Sequence, residues 1–148
     1  MVMQCTDLIP EGYKSVHCMT IANDGTVYVC NRRNGKIGLF DKMGKLQRTF
    51  EVPSTAVTPG IADGGGAAVA IVFSPDREQR YMYVVNQNSS RIDIMERASG
   101  KVVGNFGHPG PYAGEFNQAH GIAIDTKGNL YINENRGRRT QKFKLVGG

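Results

Sequence analysis

The chain has 148 residues, the length of a single domain, with 40% hydrophobic residues and no Trp. No apolar run approaches the ~18 residues of a membrane span, and the composition excludes a disordered or collagen-like chain. Lys and Arg number 18 against 13 Asp and Glu, a net charge of +5. That balance suits an anionic partner but falls short of the basicity of a nucleic-acid binder.

Glycine is abundant, 19 residues, against a background of roughly 7%. This predicts many turns and short strands. Read along the chain, the first short apolar run is Met19 to Ile21, followed by a turn at Asn23-Asp24-Gly25 and a β-rich run at Val27-Tyr28-Val29. Asp-Gly supplies the positive φ of a tight hairpin. A third strand is predicted over Ile37 to Phe40 and a fourth over Leu46 to Val52. The pattern then returns. Ile71 to Phe73, Met82 to Val84, Arg91 to Met95 and Val102 to Phe106 form a second set, with a three-residue insertion near Glu78-Gln79-Arg80. Ile122 to Ile124, Leu130 to Ile132 and Thr140 to Phe143 form a third set, with no fourth strand before Gly148. The polar residue after the second strand is Asn31, Asn86 and Glu134 in turn, at spacings of 55 and 48 residues.

Three or four antiparallel strands repeated near every 50 residues predict an all-β chain of about three β-propeller blades. A β-sandwich gives no reason for the sequence itself to repeat. The predicted blades are residues 15–52, 67–106 and 117–148, joined by Gly-rich connectors. Residues 1–14 are an N-terminal segment, placed as an outer strand of a preceding blade.

The motifs resemble the NHL repeat. Gly121-Ile122-Ala123-Ile124-Asp125 is similar to its first strand, and Gly128-Asn129-Leu130-Tyr131-Ile132 to its second. Asn34-Gly35-Lys36-Ile37 and Arg139-Thr140-Gln141-Lys142-Phe143 resemble its third, and Phe106 to Gly110 with Gly114-Glu115-Phe116 resembles its Gly-rich lead-in. The resemblance implies a partial NHL propeller, since such rings have about six blades. Three blades leave two open edges, which invite association. The expected partners are the missing blades of a longer chain or a second copy.

His17 and His120 hold the same repeat position, just before the innermost strand, and lie 103 residues apart; the middle copy has Val69 there. Innermost strands line the axial channel, so imidazoles of different blades can converge and bind zinc. The segments Val16 to Ile21 and Ala119 to Ile124 resemble metal-ligand segments of the peptidyl-α-hydroxyglycine α-amidating lyases, which are NHL-like enzymes. Asn31-Arg32-Arg33-Asn34-Gly35-Lys36-Ile37 resembles a further lyase segment whose first Arg lies at the active site. By that resemblance His17 and His120 are zinc ligands, and Arg32 is an active-site residue that clamps the substrate carboxylate. The implied reaction cleaves a carbinolamide to a peptide amide and glyoxylate. The third His and the Tyr base of the family match no residue here. Gly121 stands where some lyases carry an Asp that helps hold calcium, which argues against calcium in this chain. The alternative reading is a non-catalytic NHL propeller that presents an axial face to a protein, peptide or glycan. In that reading each His caps a loop or bonds a backbone carbonyl.

Other signals carry less. Asp63-Gly64-Gly65-Gly66 lacks the Lys-Ser/Thr ending of a phosphate loop and reads as a connector. Cys5 has no partner spacing, and Cys18 and Cys30 read as small buried hydrophobes on adjacent strands rather than a redox pair. His108 reads as an exposed loop residue, and Glu115 and Asp125 as single carboxylates. Basic residues cluster at Arg32, Arg33 and Lys36 and at Arg136, Arg138, Arg139, Lys142 and Lys144, without the interleaved aromatics that nucleic acid requires. The first residues have no basic or apolar leader, so no signal peptide is expected there. The lyase resemblance implies relatives that are often exported.

Overall fold

The computed structural model describes residues 13, 15–54 and 67–146. The predicted N-terminal segment (Tyr13 aside), Cys5 and the Asp63–Gly66 connector lie outside the described residues. Three antiparallel sheets follow one another along the chain. The first contains β1 (Val16–Ile21), β2 (Val27–Asn31), β3 (Lys36–Phe40) and β4 (Leu46–Glu51). The second contains β5 (Ile71–Phe73), β6 (Tyr81–Asn86), β7 (Arg91–Glu96) and β8 (Val102–Phe106). The third contains β9 (Ala119–Ile124), β10 (Leu130–Glu134) and β11 (Arg139–Phe143), with no fourth strand among the described residues. Within each sheet the strands pair in sequence order, and the first strands β1, β5 and β9 contact one another side by side. This is the radial arrangement of part of a β-propeller. Among the described residues no helix is long and apolar enough to cross a membrane.

The hairpins form where the turn chemistry requires them. Asp24 Oδ1 accepts the Thr26 N–H at 3.0 Å, and Asp41 Oδ1 accepts those of Met43 and Lys45 at 2.9 Å. Asp125 Oδ1 does the same for Lys127 and Asn129. Each carboxylate thus satisfies backbone donors that a tight turn leaves unpaired. The insertion in the second copy is absorbed in the β5–β6 loop, where Gln79 takes a φ of 49°.

Alternation along the strands supplies the core. Between the first and second sheets, Cys30, Ile37, Leu39 and Phe50 meet Ile71, Phe73, Met82, Val84 and Met95. Between the second and third, Val69, Val85 and Ile92 meet Phe116, Ala119, Leu130 and Ile132. Ile37, Met82, Met95 and Ile132 are wholly buried. Each contributes about 1.5–3 kcal/mol of burial free energy. The recurrence of a polar residue at Asn31, Asn86 and Glu134 also has a structural basis, because all three are buried. Asn86 Nδ2 donates to the Pro53 carbonyl at 2.8 Å, and Glu134 Oε2 accepts the Asn117 N–H at 2.7 Å. Asn86 thus ties the second sheet to the chain leaving the first, and Glu134 fastens the chain entering the third.

The second and third sheets each pack one face on the sheet before them. In the first sheet the corresponding face carries Val27, Val29 and Phe40, partly covered by Tyr13. Met19 and Ile21 on that face remain 63% and 58% exposed.

Candidate axial site

His17 and His120 owe their positions to the same backbone irregularity. In the β1–β2 pairing, Val16 faces Asn31 and Cys18 faces Cys30, so His17 is an extra residue with no partner. In the β9–β10 pairing, Ala119 faces Glu134 and Gly121 faces Asn133, so His120 is the extra residue. A β-bulge re-aims the side chain it carries. Here two bulges aim two imidazoles at each other. The ring centroids are 5.0 Å apart, with the planes at 70°.

The second sheet holds one of these rings. His17 Nδ1–H donates to the Val69 carbonyl at 2.8 Å, and Val69 is the residue at the matching repeat position. A carbonyl only accepts, so Nδ1 carries a proton and Nε2 is the nitrogen left to face other partners. Both His are half-buried. Burial holds the His120 imidazole below its ordinary pKa, and the charges of His17 and Arg32 push in the same direction. This favours the neutral ring that a metal requires.

Arg32 begins the single 3-10 turn between β2 and β3 (Arg32–Asn34). Its backbone N–H donates to the Ser15 carbonyl at 2.9 Å, and Nη2 donates to Gln87 Oε1 at 2.7 Å. Gln87 is fully buried and donates from Nε2 to the Ala119 carbonyl at 3.1 Å. All three sequence-derived site residues therefore meet at one end of the inner strands. Gln87 joins them, although nothing in its sequence context singled it out beyond its following Asn86 as Arg32 follows Asn31.

The residues present fit a zinc ion as far as two ligands go. Zinc takes His nitrogen, and the two imidazole centroids lie 5.0 Å apart. The Val69 carbonyl orients the His17 ring, the role that outer partners play for metal-bound histidines. Among the described residues no group of three His, Cys, Asp or Glu comes together. At Gly121 an added Cβ would meet the exposed Asn133 carboxamide, which would have to turn aside.

One expectation is corrected. Cys18 and Cys30 are joined by a disulfide, with Cα atoms 4.9 Å apart, and are not two separate buried thiols. The signal was in the sequence: each lies six residues from Asp24, so a hairpin centred on that turn sets them opposite. The remaining candidates lie where the sequence placed them. His108 is exposed in its loop, 3.9 Å from Glu115. Asp125 is occupied by its turn, and Glu115 Oε2 accepts the Tyr112 N–H at 2.8 Å. Arg139 does not belong to a basic face. It donates to Glu134 Oε1 at 2.7 Å and to the carbonyls of Pro111, Tyr112 and Glu115.

No family model matches the chain, and no curated protein matches it. Solved structures do. Virginiamycin B lyase from Staphylococcus aureus, in a catalytically inactive form with quinupristin, superposes with a TM-score of 0.60 at 22% identity, over 94% of this chain and 44% of that one. A 6-phosphogluconolactonase-like protein from Bacteroides uniformis gives 0.60 at 18% identity, over 88% and 38%. The WD40 β-propeller domain of Doa1 gives 0.61 at 16% identity, over 88% and 37%. The chain thus spans about two fifths of the length of these structures. Likeness at this level of identity fixes the fold, and the chain is part of a β-propeller.

Proposed function

We propose that this chain supplies two zinc ligands, His17 and His120, and a carboxylate-binding guanidinium, Arg32, to the axial site of a propeller lyase of the amidating type. The substrate class is a peptide ending in α-hydroxyglycine, cleaved to a peptide amide and glyoxylate. The observation that carries the reading is the facing pair of imidazoles on two equivalent bulges, 5.0 Å apart. Zinc bound there supplies Lewis acidity toward a substrate oxygen and lowers the pKa of its hydroxyl. The chain's own groups do the rest of the holding. Val69 orients His17, burial keeps His120 neutral, and Arg32 offers its remaining N–H groups to a carboxylate. The third ligand and the base belong to blades outside this chain or to a second copy. The exposed Met19 and Ile21 mark the face that such a partner covers. The Cys18–Cys30 disulfide suits an oxidising compartment.

A second reading has its own observation. The His17–Val69 hydrogen bond is also what a purely structural histidine makes, in a propeller that only presents a binding face. Metal analysis separates the two. The purified full-length protein is expected to carry zinc, and His17→Ala and His120→Ala are each expected to lose it. Equal zinc in all three proteins would leave the binding-face reading.

A further inference from the structure

We infer that Gln87 is a positioning residue that fixes both Arg32 and the start of the His120 strand. The inference rests on the proposed carboxylate role of Arg32. Gln87 and Arg32 occupy the same repeat position in adjacent sheets, each directly after the buried Asn that ends the second strand. A single carboxamide reaches both neighbours. Its oxygen accepts from Arg32 Nη2 at 2.7 Å, and its nitrogen donates to the Ala119 carbonyl, one residue before His120, at 3.1 Å. Only one amide orientation satisfies both, because a guanidinium only donates and a carbonyl only accepts.

The environment makes this link strong. Gln87 is wholly buried, its bond to Ala119 is shielded from water, and its part-buried bond to the guanidinium is charge-assisted. Arg32 is a long side chain with many rotamers, and anchoring one Nη removes most of that freedom before any ligand arrives. The Ala119 bond lies next to the His120 bulge and beside Gln118, whose φ of 63° is unusual for a residue with a side chain. One residue of the middle sheet therefore sets the spacing between the cation of the first sheet and the imidazole of the third.

The test uses N-acetylglycine as a carboxylate probe, titrated by NMR into the purified protein without added metal. Arg32→Gln is expected to weaken probe binding about tenfold or more. Gln87→Met, similar in shape but unable to hydrogen-bond, is expected to weaken it about fivefold. The double variant is expected to bind no more weakly than Arg32→Gln alone, because Gln87 acts through Arg32. Gln87→Glu is expected to weaken binding beyond Gln87→Met, since its carboxylate pairs with the guanidinium and competes with the probe. If Gln87→Met fails to fold, Gln87→Asn, which stays polar but is too short to span both partners, carries the test with the same expected loss. Loss in Arg32→Gln with wild-type binding in the Gln87 variants would overturn the positioning role and leave the carboxylate role of Arg32 standing. Independent, multiplying losses in the double variant would also overturn it, as they mark a general structural effect. Unchanged binding in Arg32→Gln would remove the carboxylate role itself, and this inference with it.

Discussion

Cys18 and Cys30 stand directly opposite each other on β1 and β2 and are linked by a disulfide one residue away from the bulge that carries His17. The crosslink closes a short loop, with a sequence separation of 12. It pins the β1–β2 register beside the bulge. A slip of that register would turn His17 away from the axis.

Reduction is therefore expected to destabilise the protein by roughly 2–3 kcal/mol, in line with short-loop disulfides. Thermal melts with and without a thiol reductant read this directly. A Cys18→Ala/Cys30→Ala variant should melt with the reduced protein. Identical melting of the oxidised and reduced forms would show that the crosslink adds nothing to the hairpin.

Between the first two sheets, Arg97 Nη1 donates to Asp24 Oδ2 at 2.7 Å, and its other nitrogens reach the carbonyls of Gln79 and Glu78. Partial burial tends to raise the Asp24 pKa, but hydrogen bonds from Thr26 and Arg97 outweigh it and hold the carboxyl at about 2. A depressed carboxylate pKa stabilises the fold above the unfolded value of 3.8. That contribution is lost as pH falls from there toward 2. Arg97→Met is expected to cost about 1–2 kcal/mol at neutral pH and to flatten the acid side of the stability profile. Urea midpoints at pH 7 and pH 3 measure both, and parallel profiles for the two proteins would dismiss the tie.

His120 acts on the same acid side of the profile, at higher pH. Its imidazole is held below the ordinary value of 6.5 by burial, with His17 and Arg32 adding to the effect. The unfolded chain then takes up a proton at this residue before the folded chain does, so stability falls as pH drops through 6.5 toward the folded pKa. His120→Gln should reduce the stability change between pH 7 and pH 5. An unaltered slope in denaturant titrations would show that burial does not penalise the charged ring.

Gly100 closes the β7–β8 turn at a φ of +74°, directly beneath the Phe50 ring of the preceding sheet. A methyl group there would strike the ring and also hold an alanine in the left-handed region. Gly100→Ala is expected to destabilise by about 1–3 kcal/mol, from strain and displaced packing together. Gly25→Ala is the control: its φ is +84° but nothing lies within 4 Å of an added Cβ. A cost at Gly100 no greater than at Gly25 would argue that Phe50 gives way freely.

The repeat was legible because hydrophobic alternation and turn residues are local. The Asp-Gly and Lys-Gly-Asn turns, the apolar runs and the spacing of Asn31, Asn86 and Glu134 specified the strands, their order and the sheet that stops at three. The sequence also placed His17 and His120 at one repeat position and put Arg32 nearby. It did not reveal that both His are bulge residues, because a bulge depends on which strand partners pair and not on the residues it contains. The Cys18–Cys30 disulfide follows from the register of the β1–β2 hairpin and not from the number of cysteines. For Gln87 the sequence offers only its repeat position after Asn86, matching Arg32 after Asn31. The role of Gln87 exists only because the second sheet brings a buried carboxamide between a guanidinium of the first and a carbonyl of the third, groups 55 and 32 residues away along the chain.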